Sequence, residues 1–263
     1  MRVIDCHTHC FPDAVAEKAV ASLTSAYQLT PSFDGTIKGL LGQMDAAGIE
    51  ASIILPVATK PSQVQSINDW VRDVQNERLI GFGAMHPDFP RPHEEIMRME
   101  QVGIRGIKLH PNWQGFRPDD ERMMPVYEAA EGRLVIYCHA GEEIDVWPEI
   151  LATPEAIGNV HRSFPGLKLV AAHMGGYRMW EQVEEHLLGS DVYFDMSYCY
   201  PKDLPDDRFM AILRAQGADK ILFGSDSPCG HPVPQLERLL SLPLTDEEKE
   251  LIAWKNAARL LGR

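Results

Sequence analysis

The sequence lacks a hydrophobic run of eighteen or more residues, so nothing in it reads as a membrane-spanning helix. It also lacks a Cys-x-x-Cys pair, which removes the frame of a zinc knuckle even though Cys6 and Cys10 bracket two histidines. Five cysteines, an odd number over 263 residues, suit reduced thiols better than a disulfide framework. No Gly-x-Gly-x-x-Gly turn follows any apolar run, and an open dinucleotide-binding sheet is therefore unsupported. Basic residues are scarce: 25 Lys and Arg stand against 38 Asp and Glu, a net charge of -13. That balance disfavours nucleic acid or an anionic membrane surface as the main partner. No basic region, apolar stretch and cleavage site precede the first strand, and the expected location is cytoplasmic.

What is present is a regular alternation. Short apolar runs, all but the second ending in a polar residue, lie at Val3–His9, Ala51–Pro56, Leu79–His86, Ile104–His110, Leu134–His139, Leu167–His173, Val192–Ser197 and Ile221–Asp226. Between and after them lie helical patterns, among them Asp13 to Tyr27, Ile37 to Ala47, Glu94 to Gln101, Thr153 to Arg162 and Asp246 to Leu260. Strands that are apolar throughout and separated by amphipathic helices imply a parallel sheet covered on its faces. Eight such units fit an α/β protein built as one (β/α)8 TIM barrel over residues 1–263. The stretch Pro111 to Pro118 reads as a long loop over one end of that barrel.

Barrel active sites form at the C-terminal ends of the strands, and the polar residues collect there. His7 and His9 end strand one and share a face, because residues two apart on a strand point the same way. His86, His110, His139, His173 and Asp226 end strands three, four, five, six and eight. His7, His9, His139 and Asp226 would supply three neutral ligands and one anionic ligand, with a position left open for chemistry. That donor set suits Zn2+ or a similar divalent ion, and one ion rather than two is expected. Taken singly, each residue also fits a capping or core hydrogen-bonding role.

His7-Thr8-His9, His139, His173 and the Gly224-Ser225-Asp226 turn together resemble the amidohydrolase superfamily, in particular its amidohydrolase-2 branch of metal-dependent TIM barrels. The resemblance spans essentially the whole chain. It implies that His7, His9, His139 and Asp226 bind the metal, and that His173 binds a second ion or acts beside the first. Lys108 should point into the barrel; binuclear members carry a carboxylated lysine on this strand. The alternative is a lysine that binds a substrate carboxylate or pairs with an acid.

The expected reaction is hydrolysis of a small amide, ester or lactone by metal-activated water. Asp226 would move the proton and His173 would polarise the carbonyl. Non-oxidative decarboxylation of an unsaturated or aromatic carboxylic acid is the alternative, and a non-catalytic metal- or ligand-binding barrel the third. Candidate substrate contacts are Lys108, His110, Trp113, Arg117, Glu142, Tyr177, Arg178 and Tyr198, all at strand ends or in the loops that form the mouth. The expected partner is a small molecule. Barrels often associate, but no long apolar helix face decides whether this one forms a homo-oligomer.

Overall fold

In the computed structural model, which describes residues 1–143 and 149–263, the apolar runs form eight short strands. They are β1 (Ile4–Thr8), β2 (Ala51–Ile54), β3 (Leu79–Ala84), β4 (Gly106–Leu109), β5 (Val135–Cys138), β6 (Leu169–Ala171), β7 (Tyr193–Asp195) and β8 (Ile221–Leu222). They pair in sequence order, each parallel to the next. Closure comes from β1 and the segment after β8. Cys6 N–H donates to Phe223 O at 2.9 Å, Asp226 N–H to His7 O at 2.8 Å and His9 N–H to Ser227 O at 2.7 Å. The barrel is thereby closed on the side that carries His7 and Asp226.

Helices cover the strands in the order the alternation predicts. The helix α1 (Asp13–Tyr27) follows β1, and α2 (Ile37–Ala47) begins at a Thr36 cap and ends at Gly48, whose φ of 67° suits glycine. Next come α3 (Val64–Val74), α4 (Pro92–Gln101) and α5 (Pro111–Gln114), then α6 (Met124–Ala130) and α7 (Pro154–Ser163). The chain finishes through α8 (Trp180–His186), α9 (Asp206–Gln216), α10 (Pro232–Ser241), α11 (Asp246–Glu250) and α12 (Asn256–Leu261). The larger apolar core packs strand residues such as Ile54, Ile107, Ile136 and Phe194 against these helices; a smaller one gathers Ile53, Phe82, Tyr137 and Val170. Among the described residues no helix is long and apolar enough to cross a membrane.

Two local departures from the sequence expectation have clear causes. The Pro111 to Pro118 stretch is not all loop: Pro111 opens the four-residue α5, and Gly115 at φ 69° stops it. The expected helix from Asp246 to Leu260 is interrupted by a π-turn at Leu251–Lys255. That widening turns the Ile252 carbonyl toward the barrel, where it accepts the Phe223 N–H at 2.9 Å. β8 is correspondingly short, and its polar continuation is released to bend into the site.

Candidate metal centre

Three strand ends hold their functional residue in the left-handed region: His173 at φ 57°, Tyr198 at φ 54° and Asp226 at φ 61°. Each costs roughly 1–3 kcal/mol for a residue other than glycine. The cost is met where the chain leaves a rigid strand and must aim a side chain over the barrel mouth.

Proton positions in the buried ring of histidines follow from groups that can only accept. His7 Nδ1 lies 2.9 Å from Asp195 Oδ2, so it carries the proton and donates. His9 Nδ1 likewise donates to the Leu55 carbonyl at 2.7 Å. Both histidines therefore turn an unprotonated Nε2 inward. These two lone pairs face Asp226 Oδ1 at 3.4 and 3.2 Å, an acceptor set against acceptors. Lys108 Nζ reaches His7 Nε2 at 3.0 Å and is wholly buried. Burial lowers the Lys108 pKa, and burial with the Lys108 charge pushes His7 down to about 3. Two orienting partners outside a pair of imidazoles, with a carboxylate in front, is how protein metal ligands are held. His7, His9 and Asp226 offer one donor atom each within 4.8 Å of one another.

Behind His7 stands Asp195, which the sequence reading did not single out. Its carboxylate accepts from the Tyr137 hydroxyl at 2.5 Å and from the His173 and Ser197 N–H groups at 3.1 and 2.8 Å, besides His7. Burial alone would raise this acid; His7 and the other donors outweigh it and hold it well below the usual range. Asp5, one turn of the pleat below, accepts the Ser225 hydroxyl at 2.6 Å and the Ser225 N–H at 2.9 Å, tying β1 to the segment after β8.

His139 and His173 form a separate pair. His173 Nδ1 lies 3.0 Å from the Ser197 carbonyl and 2.9 Å from the Ser197 hydroxyl, and its Nε2 lies 3.1 Å from His139 Nδ1. His139 Nε2 lies 3.1 Å from Glu143 Oε1. His139 thus stands outside the group made by His7, His9 and Asp226.

A cavity of about 470 Å³ opens above these residues. His7, His9, Lys108, His110, His139, His173 and Asp226 line its floor, and Trp113, Glu142, Tyr177 and Tyr198 its sides. Its roof is α1, which presents Val15, Ala19, Leu23 and Tyr27 at four-residue intervals, one stripe of a helix. The Tyr27 hydroxyl joins roof to wall, accepting from Trp113 Nε1 at 2.7 Å and donating to Glu143 Oε2 at 2.8 Å. Arg117 and Arg178 do not line the cavity: they pair with Asp119 at 3.0 Å and Asp203 at 3.1 Å.

The family model described as Amidohydrolase matches residues 4–263. The chain belongs to the amidohydrolase family. This amidohydrolase is 23% identical over 252 residues to the dihydroorotase of Helicobacter pylori (strain HPAG1), covering 85% of this chain and 68% of that one. Its fold resembles that of an uncharacterised TIM-barrel protein from Bordetella bronchiseptica, with a TM-score of 0.78, 20% identity, and 100% and 99% of the two chains covered. It also resembles a 5-carboxyvanillate decarboxylase of Novosphingobium aromaticivorans, solved with bound manganese. There the TM-score is 0.75, the identity 17% and the coverage 100% and 97%.

Proposed function

We propose that this amidohydrolase is a metal-dependent enzyme that decarboxylates a small aromatic or unsaturated carboxylic acid without an external oxidant. The observation that carries this reading is a floor of acceptor lone pairs and a carboxylate set beneath a cavity with aromatic and aliphatic walls. His7, His9 and Asp226 would hold a divalent ion, with manganese and zinc both compatible with two imidazoles and a carboxylate. The ion would draw electron density from a substrate oxygen and acidify water.

The residues of the chain account for the rest. Val15, Ala19, Leu23 and Tyr27 favour a flat, apolar substrate body, which would displace water from the cavity when bound. Water exclusion raises the energy of a substrate carboxylate relative to neutral carbon dioxide, which lowers the barrier to breaking the C–C bond. The electron pair left on carbon takes a proton, which Asp226 would pass from solvent. Lys108, at the floor, suits an anionic group of the substrate. The fold shared with the manganese-bearing decarboxylase supports the same reading.

Hydrolysis is the second reading, favoured by the sequence likeness to a dihydroorotase and by the seat of Asp226 beside both histidines. The two separate cleanly on a panel of hydroxybenzoic acids and cyclic amides or lactones in 18O-labelled water. Release of carbon dioxide with no label in the organic product supports decarboxylation. Label in a product carboxyl group, with no carbon dioxide, overturns it in favour of hydrolysis.

A further inference from the structure

Three cations at the barrel mouth are committed to groups of the protein itself. Arg117 pairs with Asp119 and Arg178 with Asp203, and Lys108 is buried 3.0 Å from His7 Nε2. Lys18 is not committed. It lies in α1, is exposed and lines the cavity, which puts it at the rim, and its ammonium group meets no carboxylate among the described residues. The chain holds 38 acidic residues against 25 basic ones, so acids are plentiful, yet none is set against this cation.

Neutral donors lie in the same lining. Ser22, one helical turn beyond Lys18 on the same face of α1, is one, and Gln63, in the segment after β2, is another. Gln63 Oε1 accepts the Lys60 N–H at 3.0 Å and the Thr59 hydroxyl at 3.2 Å. Those two bonds assign the ends of the amide and leave Nε2 as a donor without a partner among the described residues. Lys18 precedes Tyr27 by nine residues, roughly 13 Å along a helix axis. The cavity therefore reaches along α1 from the Tyr27 hydroxyl, beside Trp113 and Glu143, to a rim that offers a positive charge. Its volume of about 470 Å³ lies in the range of sites that enclose a whole small-molecule ligand.

We propose that Lys18 is a specificity-determining residue that binds a second anionic group, carried by the substrate away from the carboxylate that reacts. The enzyme then prefers a dianionic acid over the monoacid of the same skeleton. This rests on the reading of the cavity as the seat of an aromatic or unsaturated carboxylic acid, and it names a narrower class within that reading. Lys108 serves the inner group at the floor, Lys18 the outer one at the rim, and the Gln63 amide adds a neutral donor to the same lining. The apolar residues between the two lysines leave the body of the substrate without charge to meet, so the two ends carry the selection. An attraction at an exposed rim is screened by water and by salt, which makes the preference moderate and dependent on ionic strength.

Equilibrium binding tests this without knowledge of the natural substrate. Calorimetry on protein loaded with Mn2+ or Zn2+ compares matched probes: benzoate with isophthalate and terephthalate, and sorbate with muconate. The wild type is expected to hold at least one diacid roughly three- to tenfold more tightly than its monoacid, with the ratio shrinking as salt is added. Lys18→Met should bring the ratio to about one and Lys18→Glu below it, while Lys18→Arg restores most of the preference. Gln63→Glu keeps the acceptor for the Lys60 N–H, replaces the free donor by a negative charge, and should lower the ratio too. A wild-type ratio near one for every pair overturns the inference, as does a preference for diacids that survives in Lys18→Met. Binding of none of these acids, mono or di, instead removes the reading of the cavity beneath it, and the inference falls with that reading.

Discussion

His7 Nδ1 donates to Asp195 Oδ2 at 2.9 Å, and the same carboxylate oxygen takes the Tyr137 hydroxyl. The proton of His7 is thereby fixed on the outer nitrogen and the inner lone pair is kept for an ion. Asp195→Asn places an amide N–H against donors that need an acceptor. Metal affinity should fall roughly 10- to 100-fold, read by titration with Mn2+ or Zn2+. An unchanged affinity would show that Asp195 serves the barrel and not the histidine.

Removing divalent ions should abolish turnover and lower the melting temperature. A cation between facing acceptors stabilises them, and an ion at a hundred times its dissociation constant adds about 2.7 kcal/mol. Calorimetry with and without chelator, followed by readdition of Mn2+ or Zn2+, checks both effects. A melting curve indifferent to chelation would contradict the metal assignment.

Asp226 stands at the meeting point of both Nε2 atoms and is proposed to move the proton. Asp226→Asn keeps a side-chain oxygen for an ion but loses the acid–base group. Turnover should become undetectable while a large part of the metal affinity remains. Retained turnover in the metal-loaded variant would remove Asp226 from the chemistry.

Tyr27 couples the roof to the wall through Trp113 and Glu143. Tyr27→Phe retains the ring and loses both hydrogen bonds, a change of about 1 kcal/mol for each. The expected outcome is a several-fold rise in KM with a smaller change in kcat, measured by steady-state kinetics. Equal losses in both constants would place the hydroxyl in the reacting centre.

Arg117 and Arg178 were candidates for a substrate carboxylate on sequence grounds, yet each is turned to an aspartate outside the cavity wall. Arg117→Ala and Arg178→Ala should leave KM within about twofold, since ion pairs of this exposure contribute little. A tenfold rise in KM for either variant would show that its guanidinium leaves the aspartate to meet the substrate.

The barrel was legible because buried parallel strands are apolar throughout and most end abruptly in His or Asp. Asp195 was equally open to view. Alternation along β7 puts Tyr193, Asp195 and Ser197 on one face, and an acid inside an apolar strand demands partners. Glu143 was less accessible than Glu142: both line the cavity, and past the end of β5 the two-residue period no longer says which side chains turn inward. The seat of His139 was also hidden, since its neighbours His173 and Glu143 come to it only in the folded barrel. The two arginines failed as guides for a similar reason, as their nearby aspartates lie in loops whose geometry no periodicity describes.

The stripe of Val15, Ala19, Leu23 and Tyr27 divides the labour of the molecule between two kinds of scaffold. Donor atoms rest at the ends of β1 and β8, whereas the shape offered to a guest rests on one face of a fifteen-residue helix. Exchanging three aliphatic side chains there refits the cavity to a larger or smaller ring and leaves the strand-end donors in place. New specificities are therefore reachable through α1 in a handful of steps, each tolerable to the fold.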